Sequence, residues 1–273
     1  MAPHRHPDAI RAAAWAEVRD LLELQLEPLG RPALAALAAQ PGERILDIGC
    51  GGGDTALALA RAVAPDGDVT GIDVSAAVLA QAQPLTAGRP GLRFVRGDAQ
   101  DFAFAPATFD AAFSRFGVMF FADPVAAFAN VRRSLTPHGR LAFVCWRALA
   151  DNPLDLLPLR AAAPHLPPQP PDDPDGPGPF SLADPDRLRA ILGAAGFASV
   201  EIRADDQEVG SGDLEAMLRV CARVGALGRI LRETPALRTT VVPALRAALA
   251  AHDGPDGVRL AAATWIVTAR TAA

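Results

Sequence analysis

The chain has 273 residues, half of them hydrophobic, and a net charge of −5. That length can bury a large α/β core, while no apolar run is long enough to cross a bilayer and the opening Met1-Ala2-Pro3-His4-Arg5-His6-Pro7 lacks the apolar centre of a signal peptide. Its 26 basic residues are all arginines and are scattered, which argues against a surface that tracks nucleic-acid phosphates.

The chain opens with amphipathic helix over Ala9 to Leu29, in one or two pieces, and a short helix over Arg31 to Ala39 leads to the stop at Pro41-Gly42. A first strand is predicted over Arg44 to Gly49 and a helix from Thr55 to Val63. Strand two is Asp68 to Asp73, followed by a helix that Ser75 caps and that ends near Gln83. Strand three is Leu92 to Arg96 and strand four Phe109 to Ser114. Pro124 opens a helix to Leu135, and strand five runs from Arg140 to Trp146. Strands alternating with helices at this spacing predict a parallel, doubly wound α/β sheet of Rossmann-like type.

After Trp146 the pattern changes. Residues 164–179 are proline-dense and acidic, and no helix or strand interior is expected there. A helix over Asp184 to Ala195 ends at Gly196. Strand six is Ser199 to Ala204, and residues 214–250 read as two or three helices around Gly228 and Pro243. Ala263 to Ala269 forms a last strand. The expected organisation is one domain over 1–273: N-terminal lid helices 1–40, a binding core 41–146, and cap segments with the last strands in 147–273.

The stretch Asp47-Ile48-Gly49-Cys50-Gly51-Gly52-Gly53-Asp54 joins a buried strand to a helix N-terminus. Glycine serves where a chain needs unusual dihedrals or where a ligand touches backbone. A dinucleotide fingerprint would set a pyrophosphate on such a helix end. Here Asp47 lies just before the loop, and Asp54 stands where the third glycine of that fingerprint falls. Carboxylates beside phosphates repel. They suit a cationic ligand without phosphate, such as S-adenosylmethionine, with its sulfonium, ammonium and ribose diol. Asp73, at the tip of strand two, is placed to accept from a ribose diol. Asp98 can accept from an adenine amino group while the Ala99 N–H meets a ring nitrogen, and Ile72 and Val74 are apolar candidates for the purine faces.

These residues resemble the class I S-adenosylmethionine-dependent methyltransferases. The matching pieces are Asp47 to Gly53, Gly71-Ile72-Asp73-Val74-Ser75 and Gly97-Asp98-Ala99. Residues 113–124 and 135–143 resemble more closely the small-molecule group around ubiquinone and menaquinone biosynthesis methyltransferases. The resemblance covers roughly residues 40–147. It implies an antiparallel last strand, here Ala263 to Ala269, inserted between strands five and six. It implies that Gly49 and Gly51 approach the methionine part, that Asp47 serves the ammonium directly or through water, that Asp73 takes the ribose, and that Asp98 with Ala99 takes the adenine; Cys50 and Val74, beside these residues, are counted as cofactor-binding candidates with them. Backbone at Ser114 and Arg115 would face the ammonium or the acceptor.

The expected activity is methyl transfer to a small molecule, aromatic, quinone-like or a natural-product intermediate. Phe116, Met119, Phe120, Trp146 and Arg147 are the candidates for its pocket. No general base is legible. Cys50, Cys145 and Cys221 are widely spaced, so no disulfide, no metal site and a reducing cytoplasm are expected. No nucleic-acid or membrane partner is expected. Two alternatives remain: a protein that binds the cofactor without transferring from it, and an NAD-linked oxidoreductase, which Asp47 and Asp54 disfavour.

Overall fold

The computed structural model describes residues 14–167 and 176–271. Part of the expected first helix, residues 9–13, and the centre of the proline-dense segment, 168–175, lie outside the described residues. Contacts group the chain into two compact units, one of Gly30–Arg147, Pro174–Asp205 and Thr264–Ala273, the other of Met1–Leu29, Ala148–Asp173 and Asp206–Ala263.

The first unit is built on the sheet. Strands β1 (Arg44–Ile48), β2 (Asp68–Asp73), β3 (Leu92–Arg96), β4 (Phe109–Arg115), β5 (Leu135–Trp146), β6 (Phe197–Val209) and the last strand, β9 (Leu260–Thr271), form one sheet. Their order is β3-β2-β1-β4-β5-β9-β6. β1 pairs in parallel with both β2 and β4, so the strand order reverses direction there. β9 pairs antiparallel to β5, from Arg140↔Arg270 to Trp146↔Thr264. The inserted antiparallel strand implied by the family resemblance is therefore present, although it begins earlier and ends later than its apolar centre indicated. Ile45, Leu46, Asp47 and Ile48 are all buried, as a central strand covered on both faces requires.

Helices α2 (Asp54–Val63), α3 (Ala76–Ala82), α4 (Pro124–Ser134) and α6 (Pro185–Ala194) occupy the predicted connections. Ser75 accepts from the Val78 N–H, and Asp123 and Asp184 cap α4 and α6 in the same way. Strand five starts five residues before its expected boundary at Arg140. Leu135 already pairs with Phe109, and the register then shifts so that Ala111 meets Arg140. The Pro137-His138-Gly139 turn is thus an irregularity within the strand, with His138 at φ 63°.

The second unit is mainly helical, with the N-terminal part of α1 (Arg19–Leu37), α5 (Pro153–Ala162), α7 (Leu214–Cys221), α8 (Gly225–Glu233) and α9 (Arg238–Ala250), and a short hairpin of β7 (Asp253–Gly254) and β8 (Gly257–Val258). The two N-terminal helices expected around Gly30 are one helix. Pro32 has no N–H for the Pro28 carbonyl one turn back, and Gln207 Nε2 donates to that oxygen at 3.3 Å. Gly228 and Pro243 lie inside α8 and α9 and do not break them. A Cβ at Gly228 would stand 2.3 Å from the Arg223 carbonyl carbon, so the glycine serves close packing. Asn152, fully buried, accepts from the Ala263 N–H at 2.7 Å and donates to Ala148 O at 2.9 Å. Among the described residues, no helix is long and apolar enough to cross a membrane.

Candidate cofactor site

Parallel pairing brings the carboxyl ends of β3, β2, β1 and β4 side by side. Ile48 sits opposite Ile72 on one flank and Ser114 on the other. Ligands of such sheets bind outside these strand ends, where the order reverses. The glycine loop, Asp73, Asp98 and Ser114-Arg115 all lie on this row.

The loop owes its path to its glycines. Gly49, Gly51 and Gly53 have φ of 65°, 53° and 87°, values that side chains disfavour. The Gly49 and Cys50 N–H groups both donate to Ile72 O, at 2.9 and 3.1 Å. A Cβ on Gly49 would stand 2.9 Å from Gly117 Cα, so two backbones touch there. At Gly51, by contrast, a Cβ would meet nothing within 4 Å. The loop is closed on its Gly49 side and open at Gly51.

Asp47 is fully buried. Its Oδ2 accepts from Thr55 Oγ1 at 2.6 Å. Its Oδ1 is buried and has no hydrogen-bond partner among the described residues. Burial pushes its carboxyl up to about 7, the Thr55 bond and the positive charge of Arg115 act against this, and the charges of Asp73 and Asp54 add to it. An orphaned buried carboxylate oxygen is costly, and a donor bearing positive charge would satisfy it.

Asp73 is engaged on both oxygens by backbone. Oδ2 accepts from the Gly51 N–H at 3.0 Å and Oδ1 from the Ser75 N–H at 2.9 Å. Burial raises its carboxyl above the ordinary range, and the backbone bonds from Ser75, Gly51 and Val74 oppose the shift. Its carboxylate therefore orders the glycine loop. Val74 beside it is half-buried, whereas Ile72 is core.

Asp98 lies two residues beyond β3. Its Oδ1 accepts from the Gln100 N–H and its Oδ2 from Gln100 Nε2, both at 2.9 Å. Ala99 is buried, and its carbonyl accepts from Asn130 Nδ2 at 2.9 Å. Ser114 is fully buried, donating to Ile48 O at 2.8 Å and accepting from the Gly117 N–H at 3.2 Å, so it ties β1 to β4. The Arg115 side chain runs across Gly30, where a Cβ would stand 2.6 Å from its Cδ. Cys50 turns inward: a Cβ on Gly71 would stand 2.8 Å from its sulfur. Burial and the charges of Asp47 and Asp73 hold its thiol protonated, so it offers the site backbone only.

The pocket candidates separate. Phe116, with φ of 57°, stacks on Trp146 at 4.3 Å between ring centroids and 20° between planes. Met119 is almost fully buried, and its carbonyl accepts from Ser181 Oγ at 2.7 Å. Phe120 is half-buried. The Arg147 guanidinium lies over the Trp265 ring, 5.0 Å from its centroid. Thr55, Gln100 and Gly117 were not legible as site residues. A hydroxyl opening the helix after a glycine loop was the available signal for Thr55; the other two act through contacts that only the fold creates.

A sheet of this order with its reversed seventh strand is the fold of the class I S-adenosylmethionine-dependent methyltransferases. Residues 45–139 match the family model described as a methyltransferase domain. The chain is 38% identical over 135 residues to an uncharacterized 37.1 kDa protein in transposon TN4556 of Streptomyces fradiae, covering 49% of this chain and 39% of that protein. It is 36% identical over 103 residues to the demethylmenaquinone methyltransferase of Staphylococcus aureus, covering 38% of this chain and 43% of that one. These matches span less than half the length of either relative. Phosphoethanolamine N-methyltransferase 2 of Haemonchus contortus, solved in complex with S-adenosyl-L-methionine, has the same fold, with a TM-score of 0.53, 18% identity, and coverage of 89% of this chain and 53% of that one.

Proposed function

We propose that the protein transfers the methyl group of S-adenosylmethionine to a small-molecule acceptor. The observation that carries this reading is the orphaned, buried Asp47 Oδ1 beside a glycine loop that is open at Gly51. The buried carboxylate fits a cationic amino-acid moiety and opposes a pyrophosphate, and the open loop lets a ligand approach backbone. Asp47 serves the ammonium, directly or through water. Backbone at Gly49, Cys50 and Gly51 borders the methionine chain. Asp73 receives the ribose diol, and Val74, Asp98 and Ala99 receive the adenine. When bound, the cofactor supplies an electrophilic methyl on sulfur, open to in-line attack by a nucleophilic atom. The chain's part is to orient that methyl and keep water from it.

The acceptor side is proposed to be flat and apolar. The Phe116–Trp146 stack beside the strand-four tip supports this, as does the similarity to a demethylmenaquinone methyltransferase. Scattered arginines and the absence of a basic stripe favour a metabolite over nucleic acid. Calorimetric titration with S-adenosylmethionine, S-adenosylhomocysteine and NAD tests the cofactor reading. The first two are expected to bind and NAD is not; binding of NAD alone overturns the reading. Turnover with quinone-like phenols then separates an enzyme from a protein that only holds the cofactor.

A further inference from the structure

The loop after β3 is held by two side-chain amides that do different work. Asn130 Nδ2 donates to Ala99 O at 2.9 Å and to Phe102 O at 3.1 Å, which anchors loop backbone. Gln100 holds a side chain. Its Nε2 donates to Asp98 Oδ2, and its backbone N–H donates to Asp98 Oδ1, each at 2.9 Å. Its Oε1 accepts from the Ala122 N–H at 2.6 Å and the Asp123 N–H at 3.4 Å. The partners dictate the orientation of the amide, because a carboxylate oxygen accepts and a backbone N–H donates. Two donors from one residue grip both oxygens of Asp98 and fix the plane of its carboxylate. The far end of the same amide is fastened to the turn that caps α4.

We propose that Gln100 is a positioning residue for purine recognition: by clamping Asp98 between its own backbone and the Ala122–Asp123 turn, it makes the site select a purine that carries a 6-amino donor. This rests on the cofactor reading above. Few side chains can do the task. Glutamate would keep the acceptor for Ala122 and Asp123 but set a second carboxylate against Asp98. Methionine would keep the length and lose both bonds. Lysine could donate to Asp98 but could not accept from the turn.

The test is calorimetric titration of the full chain with S-adenosylhomocysteine and with its 6-oxo counterpart, S-inosylhomocysteine. The natural protein is expected to bind the amino form about tenfold or more tightly than the oxo form, which lacks the N–H that Asp98 accepts and carries a hydrogen on the ring nitrogen facing the Ala99 N–H. In Gln100→Glu and Gln100→Met that preference is expected to fall by about threefold or more, the Ala99 share remaining. Asn130→Ser, which loosens the same loop from its other side, is expected to lower the melting temperature and keep the preference. If both Gln100 variants retain the natural preference, the inference is overturned and the cofactor reading stands. A natural protein that binds neither compound overturns both. Loss of preference in Asn130→Ser to the same extent would mean general loosening and would overturn the specific role of Gln100. Failure of both Gln100 variants to fold would make Gln100 structural and would overturn it as well.

Discussion

Thr55 Oγ1 donates to Asp47 Oδ2 at 2.6 Å and leaves the other oxygen of that buried carboxylate with no donor among the described residues. The hydroxyl comes from the second residue of α2 and the carboxylate from the penultimate residue of β1. The glycine loop between them is what brings the two together.

This buried carboxyl should make stability depend on pH. Asp47 holds its proton more tightly in the fold, at about 7, than the ordinary 3.8 of an unfolded chain. Its favourable contribution is therefore complete below the unfolded value and is lost as pH rises through about 7. The slope inside that window is on the order of 1 kcal/mol per pH unit at most. Asp47→Asn should be more stable than the natural protein at pH 8, and the gain should shrink toward pH 5. Thermal melts of both proteins across this range check it. Parallel pH profiles would show that Asp47 is not the responsible group. The same variant should bind S-adenosylhomocysteine more weakly, since it lacks the charge for the ammonium.

The loop glycines should respond differently to a methyl group. Gly49→Ala drives a Cβ to 2.9 Å from Gly117 Cα, a backbone contact that cannot swing away. Loss of soluble folded protein or a large drop in melting temperature is expected. Gly51→Ala meets no atom and bears only the cost of a positive φ, about 1 kcal/mol. It should fold, yet bind S-adenosylhomocysteine at least about tenfold more weakly, as the methyl fills the space proposed for the ligand. Unchanged affinity in Gly51→Ala would move the ligand elsewhere.

Phe116 offers a test of strain against packing. It is an aromatic residue at φ 57°, in the left-handed region, stacked on Trp146. Phe116→Ala and Phe116→Gly both remove the ring. Glycine accepts the dihedral, so Phe116→Gly should be the more stable of the two by about 1 kcal/mol. Chemical denaturation decides it; the reverse order would mean that the segment relaxes when the ring is gone. If the stack also borders the acceptor, both variants should raise the KM for acceptor and leave cofactor affinity unchanged.

Asp73 carries a structural and a proposed binding role at once. Asp73→Ala strips the acceptors from the Gly51 and Ser75 N–H groups, at a cost of about 1–3 kcal/mol to the fold. Asp73→Asn keeps one acceptor oxygen and no charge, so it should spare more stability. Both should bind S-adenosylhomocysteine at least about tenfold more weakly if the carboxylate takes the ribose. An Asn variant with natural affinity would reduce Asp73 to a loop anchor.

The sequence by itself determined the core strands in chain order, the helices between them and the acidic tips. Local rules suffice for these: Ile45, Leu46 and Ile48 are apolar because a central strand is covered on both faces, Gly49 to Gly53 must turn, and Ser75 caps the helix that begins one residue later. Tertiary structure decided the rest, because the partners are far apart in the chain. Arg44 to Ile48 cannot reveal that Gly117 will lie against Gly49, or that Gln207 will satisfy the carbonyl that Pro32 orphans and so let one helix run through Gly30. β5 begins at Leu135 only because Phe109 pairs with it, and β6 reaches Val209 although its local apolar pattern fades after Ala204. Gln100 carries no signal of its own, since a glutamine after a strand is ordinarily solvated. Its role arises when the fold sets the Ala122–Asp123 turn on one side of its amide and Asp98 on the other.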